Sequence, residues 1–99
     1  MKELIINSED TIYDIADLFK NFSDSSRIKI LLAILDSEKS VSEIIKIVNM
    51  SQSAVSHQLS ILKSSKLIKN KKVGKTVYYS LADKHVLNIL LQGKEHAEE

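Results

Sequence analysis

Two of the chain's three histidines fall in its last 15 residues, within Asp83-Lys84-His85 and Glu95-His96-Ala97-Glu98-Glu99. Imidazole and carboxylate groups are the natural donors for a divalent metal where no thiolate is available. His85 and His96 stand 11 residues apart, so a helix projects them from nearly the same side. Along the axis, however, they are separated by about 16 Å, while zinc sits about 2 Å from each donor atom. One helix alone cannot bring them to one ion. Two such helices packed antiparallel across a two-fold axis can, with Asp83 and His85 at the start of one meeting His96 and Glu99 near the end of the other. Symmetry then gives two equivalent sites per dimer. His96 and Glu99, at i and i+3, share a face; Asp83 and His85, at i and i+2, converge only if Asp83 sits at the helix cap. The set is tetrahedral and free of sulfur, which suits Zn(II) or Co(II) and disfavours Cu(I). The same residues would serve equally as a solvated face. Gly93 weakens the helix by roughly 1 kcal/mol relative to Ala. Glu99, the last residue, is expected to fray, with the terminal carboxylate or Glu98 as a substitute oxygen donor.

A second group of side chains suits nucleic acid. Gln52, Ser53, Ser56, His57 and Gln58 crowd the first turns of a predicted helix, and each can donate or accept hydrogen bonds. The N-terminal end of a recognition helix is where such groups meet base edges and phosphates. Beyond it, Lys69, Lys71, Lys72 and Lys75 surround Gly74. From Ile44 to Ala82 there are seven lysines and no acids, whereas the whole chain carries a net charge of only +1. Such a block on a near-neutral chain suggests one face built for a polyanion. An ordinary polar helix face and a solvated lysine surface are the plain alternatives for each feature taken alone.

The elements that must position these groups are legible from periodicity. Ser8 caps a helix with Glu9 and Asp10 in its first turn and Ile12, Ile15, Ala16, Leu18 and Phe19 on one face, to about Asn21. Asp24 or Ser25 caps a second, apolar nearly all round from Ile28 to Leu35, which predicts a central position. Val41 to Val48 forms a short third helix, and Asn49-Met50-Ser51 a turn in which Asn49 tolerates a left-handed conformation. A fourth helix runs from about Gln52 to Ser65 with Val55, Leu59 and Leu62 inward. Leu67 to Lys72 and Thr76 to Leu81 read as strands around a Val73-Gly74-Lys75 tip, and a last helix starts near Asp83. The expected fold is mainly α (α+β): four helices, a β-hairpin wing and a C-terminal helix in a winged helix-turn-helix. Residues 1–99 are expected to form one domain.

Composition closes off other classes. At 43% hydrophobic and 27% charged, the chain is ordinary globular material. A chain of this size buries roughly 60–70% of its unfolded surface, so a partner subunit would help its core. Two glycines and no prolines favour short connections, and no cysteine excludes disulfides, thiolate sites and thiol nucleophiles. Met1 to Ser8 lacks the pattern of a leader, and no apolar run reaches the length of a membrane span. A cytoplasmic protein is expected. No Gly-rich phosphate loop is present, and His57 has no acid or nucleophile nearby in sequence. An enzyme with a small organic substrate is the least expected class.

Ser51-Gln52-Ser53-Ala54-Val55-Ser56-His57-Gln58-Leu59 with Ile61-Leu62-Lys63 resembles the recognition helix of ArsR/SmtB-type metalloregulators. Asp24-Ser25-Ser26-Arg27-Ile28-Lys29-Ile30-Leu31 is similar to that family's second helix, and Thr76-Val77-Tyr78-Tyr79-Ser80-Leu81 to its wing. The resemblance covers about Ile12 to Glu99. It implies a homodimer built on the first and last helices that binds a two-fold operator and represses. It also implies groove contacts from Gln52, Ser53, Ser56 and His57. The pattern Asp, x, His, ten residues, His, two residues, Glu resembles the fifth-helix zinc site of the family's zinc sensors, closest to the zinc and cobalt type. The thiolate pair of arsenic and cadmium sensors is missing, for Ser40-Val41-Ser42-Glu43 stands there. What the resemblance implies is zinc-driven release of the promoter of an export or sequestration gene. The link would be a carbonyl just beyond the recognition helix, near Lys66. Zinc response should fade at mildly acidic pH, where ligand histidines protonate. The competing expectations are a winged-helix repressor tuned to another signal, with the metal box idle, and an interaction or metal-buffering module.

Overall fold

The computed structural model describes residues 8–99, so the leader reading of Met1 to Ser8 lies almost wholly outside the described residues. The elements are α1 (Glu9–Asn21), α2 (Ser25–Ala33), β1 (Lys39–Ser40), α3 (Val41–Val48), α4 (Gln52–Ser64), β2 (Ile68–Val73), β3 (Thr76–Leu81) and α5 (Lys84–Glu98). Each helix among the described residues starts at a side chain that accepts from an otherwise orphaned backbone N–H: Ser8, Asp24, Ser40, Ser51 and Asp83. At α3 the device is a full capping box. Glu43 N–H donates to Ser40 Oγ at 3.2 Å, and Ser40 N–H donates to Glu43 Oε1 at 2.9 Å.

The core gathers Ile30, Leu31 and Ile34 from the α2 region, Ile44 from α3, and Val55, Leu59 and Leu62 from α4. Leu67 and Ile68 at the wing's base and Val86 and Leu90 from α5 close it. α2 is central as its all-round apolar sequence predicts, but it ends at Ala33, before Leu35. The α3–α4 turn passes through Asn49 at φ 55, the left-handed region where asparagine is tolerated.

The sheet has one strand more than the sequence suggests. β3 pairs with β2 from Ile68↔Leu81 to Val73↔Thr76, and β1 joins its other edge at Lys39↔Tyr79 and Ser40↔Tyr78. Two residues are too few to show a period of two, which is why β1 escapes a reading of pattern. The hairpin tip is the two-residue turn Gly74-Lys75, with Gly74 at φ 63; Val73 belongs to the ladder. Glycine leading a two-residue turn is the favoured chemistry for tight hairpins.

α1 behaves differently from the other helices. It has an apolar face, yet none of its residues is buried. Tyr13, Ile15 and Phe19 remain largely exposed. Residues 91–99 of α5 are likewise exposed along their whole length. Between α1, α2 and α5 lies an apolar groove of about 1010 Å³, lined by Phe19, Phe22, Ile28, Leu32, Ile89 and His96 among others.

Candidate nucleic-acid interface and divided metal site

α4 buries Val55, Leu59 and Leu62 and turns Gln52, Ser53, Ser56 and His57 to solvent. Its start is fixed by Ser51, whose Oγ accepts from Ala54 N–H at 3.1 Å and lies 3.3 Å from Ser53 Oγ. The four predicted groove residues therefore share the exposed side of one capped helix. Gln58 does not join them. It is half-buried, and its Oε1 accepts from Arg27 Nε on α2 at 2.9 Å.

Ladder register divides the four wing lysines. Residues opposite one another in an antiparallel pair share a face, and neighbours alternate. Lys69 and Lys71 thus lie with Ser80 and Tyr78 on one face, Lys72 with Val77 on the other, and Lys75 in the turn. Lys71 Nζ lies 3.2 Å from Glu38 Oε2, in the loop before β1. Lys69 borders a pocket of about 280 Å³ with Asp36, Glu38 and Asp83. The side chains of Lys72 and Lys75 have no partner among the described residues. Lys69 likewise has no bonded partner there, so Glu38 claims only one of the four.

Beyond α4, Lys66 adopts φ 62. Lys66 N–H donates to the Lys63 carbonyl and Leu67 N–H to the Leu62 carbonyl, both at 3.0 Å. This is a Schellman ending with lysine where glycine is usual. The Leu67 carbonyl in turn accepts from Ala82 N–H at 3.0 Å, while no described residue donates to the Lys66 carbonyl.

The four candidate metal ligands fall at the two ends of α5. Asp83 is the N-cap of α5: its Oδ1 accepts from Val86 N–H at 3.1 Å and lies 3.6 Å from His85 Nδ1. The Val86 N–H, and more weakly the nearby imidazole, hold the Asp83 carboxyl below the usual carboxylate range against an opposing effect of burial. An ionised cap beside a His85 side chain that is 91% exposed fits half of a zinc donor set. At the other end, α5 passes through Gly93 unbroken to Glu98. Both Glu98 carboxylate oxygens accept from Lys94 Nζ at 3.0 Å, one turn before the end of α5. Among the described residues no three potential ligands converge within one chain.

Sequence pattern alone missed three relationships: Arg27 with Gln58, Glu38 with Lys71, and Ala82 with Leu67. Each joins residues distant in sequence, and no local spacing signals such a pair.

A family model described as "Bacterial regulatory protein, arsR family" matches residues 24–70. The chain is 39% identical over 94 residues to a "Transcriptional repressor SmtB homolog" of Synechocystis, covering 95% of this chain and 71% of that relative. It is 38% identical over 87 residues to a "Cadmium resistance transcriptional regulatory protein CadC homolog" of Staphylococcus aureus, covering 87% and 72%. Among solved structures it is similar to HlyU from Vibrio cholerae, with a TM-score of 0.85 at 28% identity over 93% of this chain and all of that one.

Proposed function

The chain belongs to the arsR family of bacterial regulatory proteins, and from that we propose that it is a homodimeric repressor that holds a two-fold operator when metal-free and releases it on binding Zn(II). It is a transcriptional regulator with a DNA-binding winged helix-turn-helix, not an enzyme. Its proposed place of work is the cytoplasm, and the proposed target is a metal export or sequestration gene.

The observation that carries this reading is the position of His96. It lines the apolar groove between α1 and α5, near the opposite end of the helix from Asp83 and His85. A second copy filling that groove with its own α1 and α5 brings its Asp83 and His85 within reach of His96 and Glu99. Two such sites form per dimer, by symmetry. Co(II), with the same preference for nitrogen and oxygen donors, is the expected substitute.

DNA contact follows from the exposed face of α4. Gln52, Ser53, Ser56 and His57 reach the major groove, and the N-terminal N–H groups of α4 favour phosphate. Lys72 and Lys75 take the flanking backbone as the free charges of the wing. Lys69 is equally unpartnered, and Lys71 contributes less, being paired with Glu38.

Coupling between the two sites has a short covalent and hydrogen-bonded route. Asp83 adjoins Ala82, Ala82 N–H bonds the Leu67 carbonyl, and Leu67 N–H bonds the Leu62 carbonyl inside α4. Fixing Asp83 against a partner's helix therefore acts on the end of the recognition helix, with the unpartnered Lys66 carbonyl beside the same joint. When bound, zinc supplies a crosslink between two α5 helices and holds them at one spacing. A spacing that fits two half-sites poorly weakens DNA binding, and by reciprocity operator weakens zinc binding by the same factor.

The test is a zinc titration of the protein on a duplex selected by the metal-free wild type from a random-sequence pool. Zinc should weaken wild-type binding by roughly 5- to 150-fold. His96→Ala should bind the metal-free probe normally and lose that response. An unchanged zinc response in His96→Ala contradicts the proposal.

A further inference from the structure

The Arg27–Gln58 bond joins the side chains of two helices across 31 positions of sequence. It ties the first turn of α2 to the middle of the recognition helix. We propose that Arg27 is a positioning residue that turns Gln58 into a donor-only contact for DNA.

The chemistry of the two groups fixes the sense of the amide. Every N–H of a guanidinium donates and none accepts, so the atom facing Arg27 must be the Gln58 carbonyl oxygen. The amide nitrogen then points away from Arg27 with both of its hydrogens unspent. No described residue accepts from Gln58 Nε2. Gln58 follows His57 and is turned about 100° round the helix from it, half-buried where its neighbour is exposed. Its remaining donors lie on the flank of α4, off the face that carries Ser53 and Ser56, where contact with DNA is part of the proposal.

An untethered glutamine offers DNA either a donor or an acceptor, and reads adenine by offering both at once. With its oxygen engaged, Gln58 offers only donors. Its partners are then acceptors alone: a phosphate oxygen, or the N7 and O6 edge of guanine. Arg27 also spares Gln58 the loss of side-chain freedom on binding, because the rotamer is already set in the free protein. The main chain supports the arrangement. The Arg27 and Ser26 N–H groups both donate to Asp24 Oδ1, at 3.3 and 2.8 Å, which fixes the start of α2.

This inference rests on the operator-binding reading above, and the test separates the two. Metal-free wild type, Arg27→Lys, Gln58→Ala, Gln58→Glu and the Arg27→Lys/Gln58→Ala double variant are compared on the duplex selected by wild type and on a shuffled duplex of the same composition. Arg27→Lys keeps the charge and loses the directed bond, so its affinity for the selected duplex should fall about tenfold. Gln58→Ala should fall equally, and the double variant no further than either single one. Gln58→Glu keeps an acceptor for Arg27 and loses both donors; it should lose affinity at an unchanged melting temperature. Wild-type binding by Arg27→Lys, or losses that multiply in the double variant, overturns the proposal. Failure of the wild type to prefer any selected duplex would count against the operator-binding reading instead.

Discussion

Asp83 Oδ1 and His85 Nδ1 lie 3.6 Å apart at the first turn of α5. Two residues apart inside a helix, these side chains would point away from each other. They meet because Asp83 stands just outside the helix, with an extended backbone and its carboxylate turned in to cap Val86 N–H. The cap thus does two things at once: it starts the helix and sets an oxygen donor beside a nitrogen donor. The second pair stands at the far end of the same helix, where only a partner subunit can bring the first pair to it.

Dimer formation should therefore precede metal binding. Phe19 is 56% exposed and Ile15 48% exposed on a helix with no fully buried residue. Phe19→Asp should give a folded monomer in sedimentation velocity, with tight zinc binding and operator binding lost together. A monomer that retains tight zinc would place the site within one chain.

The wing lysines should separate by salt dependence. Lys72→Ala and Lys75→Ala should each lower the slope of log affinity against log salt by about 0.9, the value for one phosphate contact. Lys71→Ala should lower it by less, because Glu38 already holds that ammonium. Glu38→Gln should steepen the slope by releasing Lys71. Equal effects from all the lysines would show that the Glu38 pair gives way on DNA.

Lys66 pays a conformational penalty at φ 62 that glycine does not. Lys66→Gly should raise stability by roughly 0.5–1 kcal/mol, the relief of strain being partly offset by a more flexible unfolded chain. Denaturant midpoints measure it. A loss of stability would mean that the lysine side chain contributes more than its backbone costs.

The α3 capping box should be visible in acid. Hydrogen bonds from the Ser40 backbone N–H and hydroxyl hold the Glu43 carboxyl below its ordinary value of 4.5, against an opposing effect of burial. A folded-state value below the unfolded one means that the stabilisation is complete above about pH 4.5. It fades as pH falls through the folded value. Glu43→Gln keeps the reciprocal bonds without the titration, so its melting temperature should converge with the wild type's as the pH falls from about 6 to about 3. A constant difference over that range would show that the ionised form is not what Ser40 favours.

Much of the fold was legible because local chemistry decides it. Caps at Ser8, Asp24, Ser51 and Asp83, the αL turn at Asn49 and the alternation of Thr76–Leu81 each follow from a few neighbouring residues. The spacing of His85 and His96 even revealed that one chain could not complete a metal site. What pattern could not supply was pairing at a distance. β1 exists only because β3 offers it an edge. Arg27 looks like any polar residue in a first turn until α4 brings Gln58 to it. The basic run around Gly74 reads as one patch, although ladder register divides it and Glu38 claims one member.

The most direct test mixes two defective proteins. His85→Ala and His96→Ala homodimers each lack one histidine in both sites, and neither should bind zinc tightly. In a dimer of one chain of each, the shared arrangement puts both defects in one site and leaves the other with its full donor set. Titration of the isolated mixed dimer with Zn(II) should then recover one tight ion per dimer. No recovery would contradict a site built from the two ends of facing α5 helices.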